Sequence, residues 1–328
     1  MRLLFAGLFL IGPGVNCALG SEPWLQPFAV RNHNPFMEIY GIPAMQAPVV
    51  TAPGQSSLTL LLDAVSHFTD AEEGSEFIAI DGESYRLALR FARGLEDQWE
   101  IGTEVPIVSH SGGVLDGVIS QWHDIFGLPT LGRDRVETDR LLFQYRRDNR
   151  VLADLQSPAT GIGDVLLFAG KTFSRQGDSA ATVRGQLKLP TGDSARLLGS
   201  GGTDLSVSGA LSHRWGGSWS ASARLGAAYL GSGEVLPGLQ RHWAAFGSVF
   251  LGWQAFRSFS FKTQLDLQSP LYENSEINQL TDTAIQLTFG ATARISNATF
   301  LDFSVTEDEF NPDVSSDVAF QIRLRTVR

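Results

Sequence analysis

The second half of the chain alternates apolar and polar residues in segments of about ten positions. In the segment 242–254 the odd positions are apolar from Trp243 to Trp253, whereas the even positions include Ser248 and Gly252. Because successive side chains of a strand point to opposite faces, the two tryptophans lie at the ends of one apolar stripe. Ten residues of a tilted strand span about 23 to 25 Å, the height of the lipid-facing band of an outer-membrane barrel. The pattern therefore predicts a membrane β-barrel.

The neighbouring segments repeat this arrangement. Trp219 and Tyr229 lie at the two ends of the apolar stripe of segment 218–230, and Trp215 ends the segment before it. Aromatic residues are typical of the two interfaces of an outer-membrane barrel. We therefore predict that the membrane girdles contain Trp215, Trp219, Tyr229, Trp243 and Trp253.

From residue 57 onward the alternation predicts about fourteen strands. They lie at 57–67, 83–93, 98–106, 139–147, 150–156, 164–174, 180–189, 204–215, 218–230, 242–254, 257–267, 282–294, 299–306 and 317–326. The segment 150–156 has the weakest alternation, and bacterial barrels have an even strand count, so twelve strands is the alternative. The predicted fold class is all-β, an antiparallel transmembrane outer-membrane barrel.

The connections between these segments alternate in length. The short ones are 94–97, 148–149, 174–179, 216–217, 255–256 and 295–298. The long ones are 68–82, 107–138, 157–163, 190–203, 231–241, 268–281 and 307–316. Short periplasmic turns and longer extracellular loops are typical of bacterial barrels, whereas a β-sandwich has no reason to separate loop lengths in this way.

The N-terminal residues predict export. Residues 1–20 carry Arg2, an apolar core and an Ala18-x-Gly20 ending, as a cleavable signal peptide does. Residues 21–56 contain six prolines and no sustained period, which predicts an extended arm or plug before a barrel domain at 57–328. The only cysteine, Cys17, lies in the signal, so no disulfide is expected in the mature chain.

The composition limits the classes of partner that the protein could bind. Loss of Arg2 with the signal leaves 24 of the 25 basic residues against 35 acidic ones, a net charge of −11. This charge argues against a nucleic-acid partner. No apolar run of eighteen residues follows the signal, so only a closed sheet could span a bilayer. The expected partners are outer-membrane lipid and the outer-membrane assembly machinery.

One stretch departs from the two-residue alternation that is typical of β-strands. Between Val114 and Phe126 the apolar residues fall at helical spacing, with glycines before them and Gly127-Leu128-Pro129 after them. The order of the loops places this amphipathic helix on the extracellular side. Its apolar face could contact a ligand at the barrel mouth, and the candidate ligand-binding residues are Val118, Ile119, Trp122 and Phe126.

Charged residues lie on the polar faces of the predicted strands. They are Arg86, Arg90, Glu100, Glu104, Arg146, Arg184, Lys188, Arg224, Lys262 and Asp266, with Asp302, Arg323 and Arg325 further along. One interpretation is a polar lumen whose charges set a transport preference. The other is that these side chains pair with one another and fill a barrel too narrow to conduct.

Catalytic residues are not expected. Ser120, His123 and Asp124 are the residue types of a triad, but on one short helix they rarely give a base both a nucleophile and an orienting carboxylate. Asp63 and His67 are also candidate catalytic residues by residue type. The histidines show no metal-ligand spacing, and the glycine-rich stretches lack the context of a phosphate-binding loop, so no metal or cofactor is expected.

Several motifs resemble a known family. They are Asn34-Pro35-Phe36, Tyr40-Gly41-Ile42-Pro43, Asp81-Gly82-Glu83, Gly112 to Asp116, Trp122 to Pro129, and Gly161 to Asp164. They look like a domain-of-unknown-function family of secreted proteobacterial proteins thought to be outer-membrane barrels. The blocks Lys188 to Asp193 and Gly161 to Asp164 are also similar to outer-membrane channels associated with aromatic-compound degradation and, more distantly, with fatty-acid uptake. By analogy, this likeness implies a channel for hydrophobic solutes.

The leading hypothesis is therefore a passive outer-membrane channel or binding protein for a small hydrophobic solute. One rival is a lipid-modifying enzyme of the outer membrane, with Ser120, His123 or His67 as candidate residues. The other rival is a structural barrel with a sealed lumen.

Overall fold

The computed structural model describes residues 23–113, 140–307, 314 and 318–328. Fifteen strands form one antiparallel sheet in this part of the chain. They are β1 (Ser56–Glu73), β2 (Glu76–Leu95), β3 (Trp99–Ser111), β4 (Leu142–Arg147), β5 (Arg150–Leu155), β6 (Ala159–Ile162), β7 (Val165–Gln176), β8 (Ser179–Leu189), β9 (Asp204–Trp215), β10 (Trp219–Leu230), β11 (Trp243–Phe256), β12 (Phe259–Gln268), β13 (Ala284–Arg294), β14 (Thr299–Glu307) and β15 (Val318–Val327).

Twelve of these strands close into a barrel. The ring runs from β1 through β2, β3 and β7 to β15, and it closes where Ser57 pairs with Val327 and Ser66 with Val318. The other three strands lie beyond the ring: β4 pairs with the start of β2, β5 pairs with β4, and β6 pairs with the end of β3. The all-β barrel prediction is confirmed, with the alternative count of twelve.

Two details of the predicted strand arrangement are wrong. The connection 68–82 is not a loop, because β1 and β2 stay paired as far as Glu73 and Glu76. The turn at Asp148-Asn149 does not lie among the short turns, because Arg147 beside it pairs with Glu76 at the opposite end of the barrel. Residues 68–82 and the strands on either side of Asp148-Asn149 alternate like barrel strands. In the structure they form an extension of the sheet above the long-loop end.

The remaining elements are short. Two four-residue helices, α1 (Pro35–Glu38) and α2 (Asn278–Thr281), and 3-10 turns at Pro23–Leu25, Glu96–Gln98 and Ser194–Arg196 complete the described chain. Among the described residues no helix is long and apolar enough to cross a membrane. The predicted signal at 1–20 and the predicted helix at 114–126 lie outside the described residues.

Burial along the strands follows the alternation of the sequence. On β10 the side chain of Leu225 is 76% exposed and that of Arg224 only 6%. At the short-turn end the rings of Trp215 and Trp219 stack with centroids 6.3 Å apart, and Trp253 continues the stack at 5.7 Å from Trp219. At the long-loop end the rings of Tyr229 and Trp243 lie 5.3 Å apart. Aromatic pairs thus border the apolar outer face of β10 and β11 at both ends.

The effect of a charge on stability should depend on its height within this apolar outer face. Leu225→Arg places a charge near the middle of the apolar band, where it is expected to cost about 2 to 4 kcal/mol of unfolding free energy. Tyr229→Arg, the matched variant at the long-loop border, is expected to cost at most about 1 kcal/mol. Urea unfolding in phospholipid vesicles measures both. Equal losses from the two variants would contradict a lipid-facing band in this position.

An apolar cluster covers the long-loop end of the barrel. Its fully buried members include Ile78 on β2, Phe143 and Tyr145 on β4, and Leu271 and Ile277 in the connection from β12 to β13. The β1–β2 hairpin is tied to that same connection, because the Glu76 carboxylate accepts hydrogen bonds from the Ser275 hydroxyl and the Glu276 backbone N–H. We call this cluster the cap, and it also contains Phe36, Met37, Ile39 and Tyr40 of the N-terminal segment.

Candidate functional site

The N-terminal segment runs through the inside of the barrel. We call residues 23–53 the plug: an ascending limb at 23–34, a tip at 35–40 and a descending limb at 41–53. At the short-turn end the Ser260 hydroxyl donates to the Trp24 carbonyl at 2.7 Å, and halfway up the Phe28 N–H donates to Gln264 at 2.9 Å. At the other end the Tyr272 hydroxyl donates to the Phe36 carbonyl at 2.8 Å. The ascending limb therefore spans the height of the barrel.

The descending limb returns along the opposite wall. The Gly41 N–H donates to Asp204 at 2.8 Å near the long-loop end. Lower down, Arg224 donates to the Ala44 carbonyl at 2.7 Å, and Thr172 accepts from the Val50 N–H at 3.2 Å. The chain then leaves the lumen and begins β1 at Ser56. The plug is thus a hairpin, and both of its ends lie at the short-turn end.

The sequence of the plug explains this conformation. Proline-rich, non-periodic chain forms no regular hydrogen-bonded element, so its backbone carbonyls need partners elsewhere when they are buried. Inward side chains of the wall supply them: Arg323 donates to Pro27, Arg224 to Pro43 and Thr182 to Pro48. Gly41 is required by close approach, because an added Cβ would lie 3.0 Å from Cβ of both Lys188 and Asp204.

The structure places most of the sequence-predicted lumen residues inside the ring. Buried or half-buried on the inner face are Arg86, Arg90, Glu100, Glu104, Arg184, Lys188, Arg224, Lys262 and Asp266. Arg146 is the exception. It lies on β4, beyond the closed ring, with its guanidinium 4.3 Å from the ring centre of Phe77. The alternation that selected Arg146 is real, but its strand does not line the lumen.

Two carboxylates organise the inner charges of the lower and middle lumen. Asp302 lies 2.8 Å from Nζ of Lys262, 2.6 Å from Nε of Arg323 and 3.7 Å from Arg325. Glu104 lies 2.9 Å from Arg31 of the plug, 2.5 Å from Arg86 and 3.3 Å from Arg90. Each carboxylate therefore joins three cations, and those cations in turn hold plug atoms.

A third cluster joins the plug to the loops at the long-loop end. Nζ of Lys188 lies 2.5 Å from Asp164, 3.3 Å from Asp204 and 2.5 Å from the Ser200 hydroxyl. Asp164 also accepts from the Gly192 N–H at 2.8 Å. These contacts explain the Gly161 to Asp164 and Lys188 to Asp193 motifs, because each contributes one side of the ion pair. Asp164 and Asp204 supply the counter-charges that a buried lysine requires, although the alternating pattern did not select them as lumen residues.

An ionisable pair joins the end of the ascending limb to the plug tip. Nδ1 of His33 lies 3.2 Å from Glu38, and Asp63 and Arg86 of the wall lie within 4 Å of this pair. Burial alone would raise the pKa of Glu38, but His33 and Arg86 hold that pKa at about 2. Glu38 is therefore ionised at neutral pH and contributes to the electrostatic docking of the tip.

Asp63 and His67 do not come together as a catalytic pair. Nε2 of His67 contacts the Ser84 hydroxyl at 2.9 Å, and the same hydroxyl contacts Nδ1 of His110 at 2.8 Å. Nε2 of His110 contacts the Leu197 carbonyl at 3.1 Å. All three side chains are buried, and both imidazole rings lie edge-on to Phe143 of the cap, which suits a structural link better than hydrolysis. The other candidates, Ser120, His123 and Asp124, lie outside the described residues, as do Val118, Ile119, Trp122 and Phe126.

Among the described residues no group of histidine, cysteine, aspartate and glutamate side chains could hold a metal ion. The plug does leave space within the barrel. A cavity of about 180 Å³ lies between its two limbs in the lower half of the lumen, lined on the plug side by Ala44, Met45, Ala47, Val49 and Val50. Gln55, Ser57 and Val327 border the cavity at the short-turn end. Two neighbouring spaces in the lumen are smaller, about 10 and 30 Å³.

Comparison with solved structures supports the fold. The COG4313 outer membrane channel from Pseudomonas putida F1 superposes with a TM-score of 0.55 at 12% identity, covering 89% of this chain and 97% of that one. The NanC porin gives a TM-score of 0.45 at 9% identity over 83% and 98% of the two chains. The Ralstonia pickettii toluene transporter TbuX gives 0.43 at 12% identity over 84% and 90%. Of these three superpositions only the first has a TM-score above 0.5, and at 12% identity it supports the fold alone.

No curated protein matches the chain. The family comparison is decisive, because the match covers nearly the whole sequence and confirms the resemblance found in the motifs. Residues 15–326 match the family described as "Protein of unknown function (DUF3187)", and the chain therefore belongs to that family.

Proposed function

We propose that the protein is an outer-membrane channel for a small, mainly apolar solute and that the plug closes its lumen. The observation that carries the proposal is the way in which the plug is held. Polar side chains of the wall bind its backbone, and a cavity of about 180 Å³ remains between its limbs. A segment held by separate polar contacts can shift without unfolding the barrel, because the strand ladders do not depend on it.

Two apolar surfaces support the choice of solute. The plug face of the cavity includes alanine, valine and methionine side chains beside Gln26, Arg31 and Gln46, and the cap lies at the plug tip. Apolar lining with a few placed polar groups is typical of small-molecule sites. A solute would pass from the long-loop side through the cap, along the displaced plug and out at the short-turn end.

The same observations support a second candidate, a structural barrel whose lumen stays sealed. The cap buries large side chains such as Phe36, Tyr145 and Tyr272 completely, and the plug makes contacts along the whole lumen. Passage distinguishes the candidates, because a sealed barrel conducts nothing and a gated channel conducts whenever its plug is displaced.

Uptake by intact cells tests the proposal. Expression of the protein in a Gram-negative host is expected to increase the rate of uptake of labelled toluene or naphthalene several-fold. The pair Trp122→Gln and Phe126→Gln, in the loop helix predicted from the sequence, is expected to remove most of this gain. Trp215→Gln, at the short-turn girdle, serves as the control and should leave uptake unchanged. If uptake of every apolar solute stays at the host level while the folded barrel is present, the sealed barrel is the better account.

A further inference from the structure

The cavity between the plug limbs is lined by far more cations than anions. Its lining includes five arginines, Arg31, Arg90, Arg184, Arg323 and Arg325, and only two carboxylates, Glu100 and Glu104. Asp302 lies behind two of these arginines, but it is shared with Lys262. With this pair included, six cations face three carboxylates around the lower lumen.

These charges are poorly hydrated. The side chains of Arg31, Arg184, Arg323 and Arg325 are less than a tenth exposed, and that of Arg90 is 19% exposed. An excess of buried cations over buried anions is electrostatically unfavourable, so it favours a bound counter-ion. The upper lumen has the opposite balance, with Glu38, Asp63, Asp164 and Asp204 around Arg86 and Lys188. An anion is therefore favoured in the lower cavity specifically.

Arg184 is the arginine best placed to bind it. Its Nε lies 3.5 Å from Glu100, longer than a usual hydrogen bond. The other oxygen of Glu100 is already occupied by the Thr51 N–H at 2.7 Å and the Thr51 hydroxyl at 2.6 Å. Arg90, by comparison, contacts both Glu104 and Gln46 and lies 3.5 Å from the ring centre of Phe168. Arg184 thus keeps more donor capacity for a ligand than Arg90.

Apolar side chains lie between the arginines of the cavity lining. Leu61 pairs with Arg323 across β1 and β15, and Ala88 and Ala92 flank Arg90 on β2, so the wall places hydrocarbon directly beside guanidinium groups. An engineered apolar cavity of about 150 Å³ accepts benzene, so about 180 Å³ can accept a single ring with a small substituent.

We infer that this cavity binds a small organic anion with an apolar body, such as an aromatic or short-chain monocarboxylate, through Arg184 and its neighbouring arginines. A planar carboxylate matches the two-pronged geometry of guanidinium donors. The inference rests on the proposed function only for the direction in which a solute crosses the barrel. Binding of the anion in the cavity does not require that it pass through the barrel.

Isothermal titration of the full folded barrel in detergent tests the inference. Benzoate is expected to bind about tenfold or more tightly than benzyl alcohol, which keeps the ring and lacks the charge. Arg184→Gln is expected to weaken benzoate binding by about tenfold and to leave benzyl alcohol unaffected. Arg93→Gln is the matched control, because Arg93 lies on β2 near Arg90 but is exposed at the outer rim.

Each outcome decides between the claims. Equal binding of benzoate and benzyl alcohol, or equal losses in the two arginine variants, would overturn the inference. Tighter binding of inorganic phosphate than of benzoate would also overturn it, because the site would then recognise charge without the apolar body. Benzoate binding without uptake of any solute would support this site and count against the proposed function alone.

Discussion

Removal of residues 24–53 is expected to convert a closed barrel into an open pore. The plug occupies the lumen from Trp24 to Thr51, and barrels with more than about eight strands have interiors wider than their own side chains fill. Single-channel conductance in planar bilayers should therefore rise by roughly an order of magnitude or more over that of the full chain. Because the ring closes through β1 and β15 without the plug, the truncated chain should still assemble.

A weaker variant keeps the test informative if the truncated chain assembles poorly. Arg224→Ala removes the donor to the Pro43 and Ala44 carbonyls and should loosen the descending limb, which gives brief openings. Arg93→Ala, at the exposed rim, should behave as the wild type does. A truncated chain that migrates as a folded barrel and conducts no more than the full chain would show that something other than the plug closes the lumen.

Asp302→Ala is expected to cause the largest loss of stability from a single substitution. The carboxylate is 1% exposed and lies among Lys262, Arg323 and Arg325, so its removal leaves three buried cations without their shared anion. Removal of one partner of a buried ion pair costs about 3 to 5 kcal/mol. Lys262 and Arg323 also donate to the Gln26 and Pro27 carbonyls, so the ascending limb should loosen as well.

Urea unfolding in phospholipid vesicles measures this loss, and protease digestion reports the release of the plug. Asp178→Ala, in an exposed turn, is the control and should change the unfolding free energy by less than about 0.5 kcal/mol. Adding Lys262→Met to Asp302→Ala should recover part of the stability, because one unpaired cation is then removed. A change below about 1 kcal/mol for Asp302→Ala would mean that water or ions already compensate the cluster.

The alternating pattern predicted the barrel because burial on one face is a local property of a strand. The stripes on β10 and β11 were predicted residue by residue, and Trp219 pairs with Trp253 and Tyr229 with Trp243 in the structure. The same pattern selected inner residues such as Arg224 and Lys262. No knowledge of strand partners was required for either prediction.

The strand count was less predictable because alternation does not reveal which strands close the ring. The segments 139–147 and 150–156 alternate, the second only weakly, and in the structure they form β4 and β5, which have six residues each. Six residues extend about 20 Å before any tilt, which is less than the apolar band requires. The predicted segment 139–147 is as long as 98–106, which forms the ring strand β3, so predicted length could not separate this hairpin from the barrel strands, and Arg146 was assigned to the lumen.

The position of the plug could not be derived from local patterns. Its contacts join residues far apart in sequence, such as Gly41 with Asp204 and Phe28 with Gln264. The prolines predict only that the segment is extended. The indirect signal was the surplus of inward cations, because arginines that lack carboxylate partners on the wall need backbone carbonyls to bind.

The central claim is that residues 23–53 lie inside a membrane barrel, and cysteine labelling tests it most directly. In a Cys17→Ser background, Met45→Cys lies on the plug at a fully buried position and Gln55→Cys at an exposed one. Outer membranes are treated with a bulky maleimide-polyethylene glycol and run on a gel without boiling, where a folded barrel migrates apart from the unfolded chain. We expect the folded band to be labelled at position 55 and protected at position 45 until it is boiled. Equal labelling of both positions in the folded band, or the absence of such a band, would contradict the claim.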